Sequence, residues 1–203
     1  MPGKNIRDLC GKPLVAYSIE AAIKTPCIDR VIVSTDDEEI ANISKSYGAE
    51  VPFLRPREMA RDNSSVSEAV DHLLKTIRED GYFPDVYAVL YPTHPFRPAG
   101  LIEMLIQKSL EGHSPVDTVK AVGYNSLWLF SVTGGNVLPS VMKPRGDKLF
   151  YRTYGVFHSQ NTTLETTSPY FHVLDDPVSL IDIDTLADFC LAEEIIRAGL
   201  FSA

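Results

Sequence analysis

Asp182-Ile183-Asp184 sets two carboxylates two residues apart near the C-terminus. If Val178 to Asp182 forms a strand, both carboxylates project to one side of its carboxyl end. Two hard oxygen donors placed so can share one Mg²⁺. Ligands of open parallel sheets gather beyond the carboxyl ends of strands, in keeping with that reading. A second reading makes Asp184 the N-cap of the helix that follows, and the spacing alone favours capping. Lys4-Asn5 and Gly11-Lys12-Pro13 put two lysines and a glycine just ahead of a helix N-terminus. Ammonium groups, free amides and the positive helix end together favour phosphate, with two solvated loop lysines as the plain alternative.

Two further clusters follow predicted strands. Tyr91-Pro-Thr-His-Pro-Phe-Arg97 is a loop stiffened by two prolines, able to hold Thr93, His94 and Arg97 toward a cleft. A lone histidine is more often structural than catalytic, so His94 is given no role as a base. Arg55, Arg57 and Arg61 crowd another strand exit near Ser64 and Ser65, either to bind phosphate or base or as solvated side chains. The sequence has no Cys/His pair, no Gly-x-Ser-x-Gly turn and no complete Walker loop, which leaves little weight for covalent or P-loop chemistry.

The elements that must position these groups alternate through the first 120 residues. Helices are predicted over 13–24, from Asp37 to Gly48, from the Ser65-x-x-Glu68 capping box through Ile77, and over 98–111. Arg30–Thr35, Ala49–Leu54, Val86–Tyr91 and Val116–Val122 read as short strands, the first a β-branched run of the buried parallel kind. This rhythm predicts an α/β fold: a mostly parallel sheet with helices on both faces. From Gly123 to about Phe171 it breaks into Gly, Pro, Thr and aromatics, read as a small antiparallel insertion that includes Leu149–His158. It resumes with Val178–Asp182 and a helix from Asp184 to about Ala198. The first twelve residues cannot make a buried strand.

With 203 residues, 44% hydrophobic and 23% charged, the chain suits one domain with a real core. A formal net charge of -8 argues against a general nucleic-acid binder. No apolar run approaches the roughly 18 residues of a membrane span. Cys10, Cys27 and Cys190 are odd in number and lack zinc-ligand spacing, which fits reduced thiols in a cytoplasmic protein.

Five motifs in order resemble the acylneuraminate cytidylyltransferases, the CMP-sialic acid synthetases. They are Lys4-Asn-Ile-x-x-Leu-x-Gly-Lys-Pro-Leu14, Asp29-Arg-Val-Ile-Val-Ser-Thr-Asp-Asp-Glu-Glu-Ile-Ala41, Tyr47-Gly-Ala-Glu-Val-Pro-Phe-Leu-Arg-Pro56, Pro92-Thr-x-Pro-x-Arg97, and Ser179-Leu-Ile-Asp-Ile-Asp-Thr185 followed by Ala192-Glu193. The resemblance implies a three-layer Rossmann-like nucleotide-diphospho-sugar transferase fold over 1–203. It also implies a homodimer in which the 123–171 insertion packs on the partner and serves the sugar side. The implied reaction joins CTP to a nine-carbon 2-keto sugar acid, releasing CMP-sugar and pyrophosphate. By position, Lys4 and Asn5 lie at the nucleotide, and Arg55 and Ser65 near base and phosphates. Thr93 and Arg145 point to the sugar acid, and Asp182 and Asp184 to Mg²⁺, with Lys4 and the two aspartates carrying the chemistry.

Three positions depart from the family on the sugar side, Tyr91 for Gln, Tyr154 for Asn and Trp128 for Lys, and should make the pocket narrower and more apolar. Tyr91, Arg97 and Tyr154 are expected among the substrate-binding residues. In the family a strand and an Ala-Arg-Gly-Gly-Ser-Lys-Gly loop precede the position of Met1, so this chain as given is expected to turn over poorly. A non-catalytic relative that keeps fold and dimer surface is the alternative, and an Asp-x-Asp glycosyltransferase a weaker third.

Overall fold

Cys10 and Gly11 both carry positive φ, 51° and 97°, the pair that a two-residue type I′ hairpin uses. They join β1 (Asp8–Leu9) to β2 (Lys12–Pro13) in a minimal hairpin behind a 3-10 turn over Lys4–Ile6. Pro13 then stands as N-cap of α1 (Leu14–Ile23). The computed structural model describes residues 1, 3–56, 58, 65–122, 129–133, 136–140, 150–165 and 168–201.

The next helices start where capping chemistry dictates. Asp37 accepts from the Glu39 and Ile40 amides to open α2 (Glu38–Ser46). Ser65 and Glu68 form a reciprocal capping box on α3 (Val66–Glu79). Segments 30–35 and 49–54 run side by side in parallel: the Val33 amide donates to the Glu50 carbonyl at 2.9 Å and the Glu50 amide to Val31 at 2.7 Å. They make one isolated bridge, Ile32 with Glu50, rather than a ladder, and residues 31–34 stay half-buried. Among the described residues the β-branched run has a backbone partner on one side only.

The main sheet holds β3 (Val86–Val89), β7 (Phe150–Asn161), β4 (His113–Val122) and β8 (Ser168–Leu174), in that order. Alternation of strand and helix predicts β3 and β4 as parallel neighbours across α4 (Leu101–Leu110). Instead β7 returns from the 123–171 region and pairs antiparallel with both; only β4 with β8 is parallel. The sheet is therefore mixed, and part of the expected insertion is one of its central strands. β5 (Leu129–Thr133) and β6 (Asn136–Ser140) form a separate antiparallel hairpin. α4 seals one face through Leu101, Ile102, Leu105 and Ile106 against Val116, Val156 and Phe157. A second core gathers Leu9, Leu14, Tyr17, Phe96 and Ile183 with Phe189 and Ala192 of α5 (Leu186–Arg197). Among the described residues no helix is long and apolar enough to cross a membrane.

The predicted strand over 178–182 is a turn followed by coil. Asp176 takes the Ser179 amide at 2.9 Å and its hydroxyl at 2.6 Å, and the Ile181 amide folds back to Val178, so the backbone is spent locally. Asp182 and Asp184 thus sit on a coil, held to the Pro-rich loop by the Ile183 amide donating to the Thr93 carbonyl at 2.8 Å.

Candidate active site

In β7 the register breaks. Asp117 stands opposite His158 and Val119 opposite Thr153, so Thr118 alone faces residues 154–157. Such a bulge leaves backbone groups without ladder partners and re-aims the side chains it carries. Two buried side chains take up those groups. Thr118 Oγ1 donates to the Tyr154 carbonyl and accepts the Phe157 amide at 3.1 Å. Arg97 Nε donates to the Val156 carbonyl at 2.8 Å, while its other nitrogens donate to Ser18 Oγ at 3.0 Å and the Tyr91 carbonyl at 2.9 Å. Burial pulls the guanidinium pKa down, though it stays charged at neutral pH. Arg97 is a buried clamp between α1, the Pro-rich loop and β7, not a residue of the cleft; its motif position was readable, its role was not.

Above the bulge lies a cavity of about 530 Å³ that brings together Thr93, Asp182 and Asp184 with Tyr91, Tyr154 and Gly155. A Cβ at Gly155 would lie 2.6 Å from Tyr91 Cδ2 and 2.8 Å from His94 Nε2, so only glycine lets those rings close over the strand. Tyr154 donates its hydroxyl to the Leu180 carbonyl at 2.6 Å, and Lys120 Nζ sits 3.9 Å from its ring centroid. Burial raises the pKa of both tyrosines and lowers that of Lys120, where Arg152 adds to the effect.

His94 is 4% exposed. Its Nδ1 lies 3.2 Å from the Ile181 carbonyl, which can only accept, and Nε2 is 3.7 Å from Asp182 Oδ1. Burial drives the ring toward the neutral form, opposed by Asp182. Lys4 Nζ reaches Asp184 Oδ1 at 2.8 Å and the Ile183 carbonyl at 3.1 Å, tying the N-terminal turn to the Asp-x-Asp coil. Asp184 does not cap the last helix. Thr185 does, in a reciprocal box with Asp188, so the capping explanation for Asp184 falls away. Among the described residues no group of three His, Cys, Asp or Glu side chains could hold a metal, leaving a two-carboxylate set. Two hard carboxylates facing a cleft suit a cation that takes its other ligands from phosphates and water.

Of the remaining expected site residues, Asn5, Arg55 and Ser65 are described and do not line the cavity. Arg55 pairs loosely with Asp36 at 3.7 Å, and among the described residues its buried Nε has no partner. The Asn5 Oδ1 is also buried without one. Ser65 spends its hydroxyl on the α3 cap, although Val66, Ser67 and Val70 behind it line the cavity. Arg145 and Trp128, like Arg57, Arg61 and Ser64, lie outside the described residues. Sequence reading missed Tyr87, Asp117, His158 and Gln160, which line the other end of the same cavity. They come from three strands, and no local motif marks them.

The family model for cytidylyltransferases matches residues 1–181, and the chain belongs to that family of nucleotidyltransferases. It is 31% identical over 212 residues to CMP-N,N'-diacetyllegionaminic acid synthase of Legionella pneumophila, covering 97% of this chain and 90% of that one. It is 31% identical to N-acylneuraminate cytidylyltransferase of Escherichia coli over 93% of this chain but 47% of the relative, so it spans about half of that protein. A 114-residue stretch is 34% identical to pseudaminic acid cytidylyltransferase of Campylobacter jejuni, covering 56% of this chain and 49% of that one. Among solved structures, CMP:2-keto-3-deoxy-manno-octonic acid synthetase complexed with CTP superposes with a TM-score of 0.70 at 16% identity, covering 98% of this chain and 93% of that one. That likeness establishes the Rossmann-like α/β fold.

Proposed function

We propose that the chain joins CTP to a nine-carbon 2-keto sugar acid of the sialic, legionaminic or pseudaminic kind. The anomeric hydroxyl attacks the α-phosphorus, the bond to the β-phosphate breaks, and CMP-sugar and pyrophosphate leave. The observation that carries this is one cavity joining the Asp182/Asp184 pair to a floor of aromatic and hydrogen-bonding groups, in a member of this family. The Legionella relative, matched along 90% of its length, supports the catalytic reading over that of a non-catalytic relative.

Asp182 and Asp184 are the residues that would hold Mg²⁺. When bound, the ion neutralises charge on the phosphates and on the departing pyrophosphate. His94 supports this assignment: a neutral ring donating from Nδ1 turns the Nε2 lone pair toward the Asp182 carboxylate, and two acceptors so placed favour a nearby cation. Lys4 fixes Asp184 and adds positive charge at the phosphate side. Tyr91 and Tyr154 make that wall bulkier and less polar than an amide pair, a feature for sugar selection.

The chain is further read as a homodimer. β8 is an edge strand among the described residues and exposes Phe171 and Val173, with Tyr151 exposed on β7 nearby in the sheet. Light scattering on the purified chain checks this, with twice the chain mass expected. The activity is tested by pyrophosphate release from CTP and a panel of nonulosonic acids. CMP-sugar formation with at least one is expected, and no release with any of them would overturn the reading.

A further inference from the structure

At the end of the cavity away from the Asp-x-Asp coil, three paired strands put Val89, His158 and Asp117 in one cross-strand row. Tyr87 and Gln160 form the next row, and all five line the cavity. Residues directly opposite in neighbouring strands share a face, so this row is a sheet floor with one hydrogen-bonding pair at its centre. His158 Nδ1 lies 2.7 Å from Asp117 Oδ1, and the Tyr87 ring stands edge-on at 6.4 Å. Asp117 is the more enclosed partner, its side chain 14% exposed against 29% for His158. No partner is found for Nε2 among the described residues.

A carboxylate only accepts hydrogen bonds, so Asp117 holds a proton on Nδ1, and in the neutral imidazole this leaves a lone pair on Nε2. Resting on the cytidylyltransferase reading above, we propose that Asp117 and His158 form a specificity element for the sugar acid. Asp117 is the positioning residue, and His158 Nε2 accepts a hydrogen bond from a neutral donor of the sugar, an acylamido N–H or a hydroxyl. A lone pair held there repels a carboxylate, so the sugar's acid group lies away from this pair and its substituted ring carbons lie over the strand floor. The pair thus reads the substituents by which one nonulosonic acid differs from another, which the Asp-x-Asp end does not touch.

The test combines a long-range proton–nitrogen correlation spectrum of the imidazoles in the full chain with steady-state kinetics. The probes are a diacetamido nonulosonic acid and CTP. In the unmodified chain His158 is expected as the Nδ1–H tautomer, and its Nε2 resonance should move on adding the sugar acid. Asp117→Asn can donate to Nδ1, which moves the proton to Nε2 and turns the acceptor into a donor. That variant should raise KM for the sugar acid about tenfold while KM for CTP changes less than about twofold. His158→Phe should behave alike. His158→Gln, which restores an acceptor, should recover part of the loss at unchanged melting temperature; a merely structural pair would not give that pattern. An Nε2 resonance unmoved by saturating sugar acid, or sugar KM values equal in all variants, overturns the proposal. A chain that makes no CMP-sugar while the ring still responds would reject the reaction and keep the subsite. Turnover with a silent ring would do the reverse.

Discussion

At one end of the cavity Asp182, Asp184, Thr93 and His94 sit on coil, fixed by backbone bonds such as Ile183 to Thr93 and by the Lys4 ammonium. At the other, Val89, His158 and Asp117 stand on adjacent strands whose ladder sets their spacing. The coil end concentrates charge, and its carboxylates remain partly exposed: the side chains of Asp182 and Asp184 are 35% and 68% exposed, where phosphates and a cation can reach them. The strand end is built for shape and for few, fixed hydrogen bonds. In the proposed function, charge handling and recognition thus fall to different kinds of backbone, and each can be disturbed without the other.

The largest effect is expected at the coil end. Asp182→Asn should lower turnover about a thousandfold, because the amide lacks the charge that holds the cation, with sugar-acid KM little changed. Asp184→Asn should follow it. Thermal melting and pyrophosphate release measured on the same samples check both, and the melting temperature should hold because Thr185 carries the cap. Turnover near normal at limiting Mg²⁺ would dissolve the division of labour.

Arg97→Met should damage both ends together, since one guanidinium joins the Tyr91 and Val156 carbonyls to Ser18. Leaving those acceptors unpaired should cost about 2–4 kcal/mol in denaturant unfolding. Gly155→Ala is milder and more local. Its Cβ must push aside Tyr91 and His94, for about 1–3 kcal/mol and a loss of activity greater than the loss of stability predicts. The smallest effect belongs to Thr185→Ala, about 1 kcal/mol from the α5 cap with catalysis nearly intact.

The two ends also differ in how far they can be read from the chain. The residue types of Asp182-x-Asp184, Lys4 and the Pro-rich loop allow phosphate and metal beside capping and solvation, and the family resemblance chooses between them; each is a contiguous motif. The helices were legible for the same reason, since capping boxes and 3.6-residue periodicity are local signals. What escaped depends on pairing between distant residues. Asp117 and His158 are 41 positions apart. The place of β7 between β3 and β4 follows from its return across the sheet, and nothing near residue 150 announces it. Val178–Asp182 has the apolar run of a strand, but Asp176 and Ser179 turn its backbone inward before any neighbour can pair with it. Arg97 shows the opposite error, a cation in a cleft motif whose chain direction carries it into the core.

The bulge at 154–157 has a consequence for variation among sequences. Because Thr118 faces four residues there, the strand on either side keeps its own register, 150–153 against 119–122 and 158–159 against 116–117. Losing or gaining one residue inside the bulge need not unravel either ladder. It would leave His158 opposite Asp117, because each ladder keeps its register, and change only which bulge residue lies against Tyr91 and His94. Length at this point therefore tunes the cavity floor beside those two rings while the Asp117–His158 pair keeps its place.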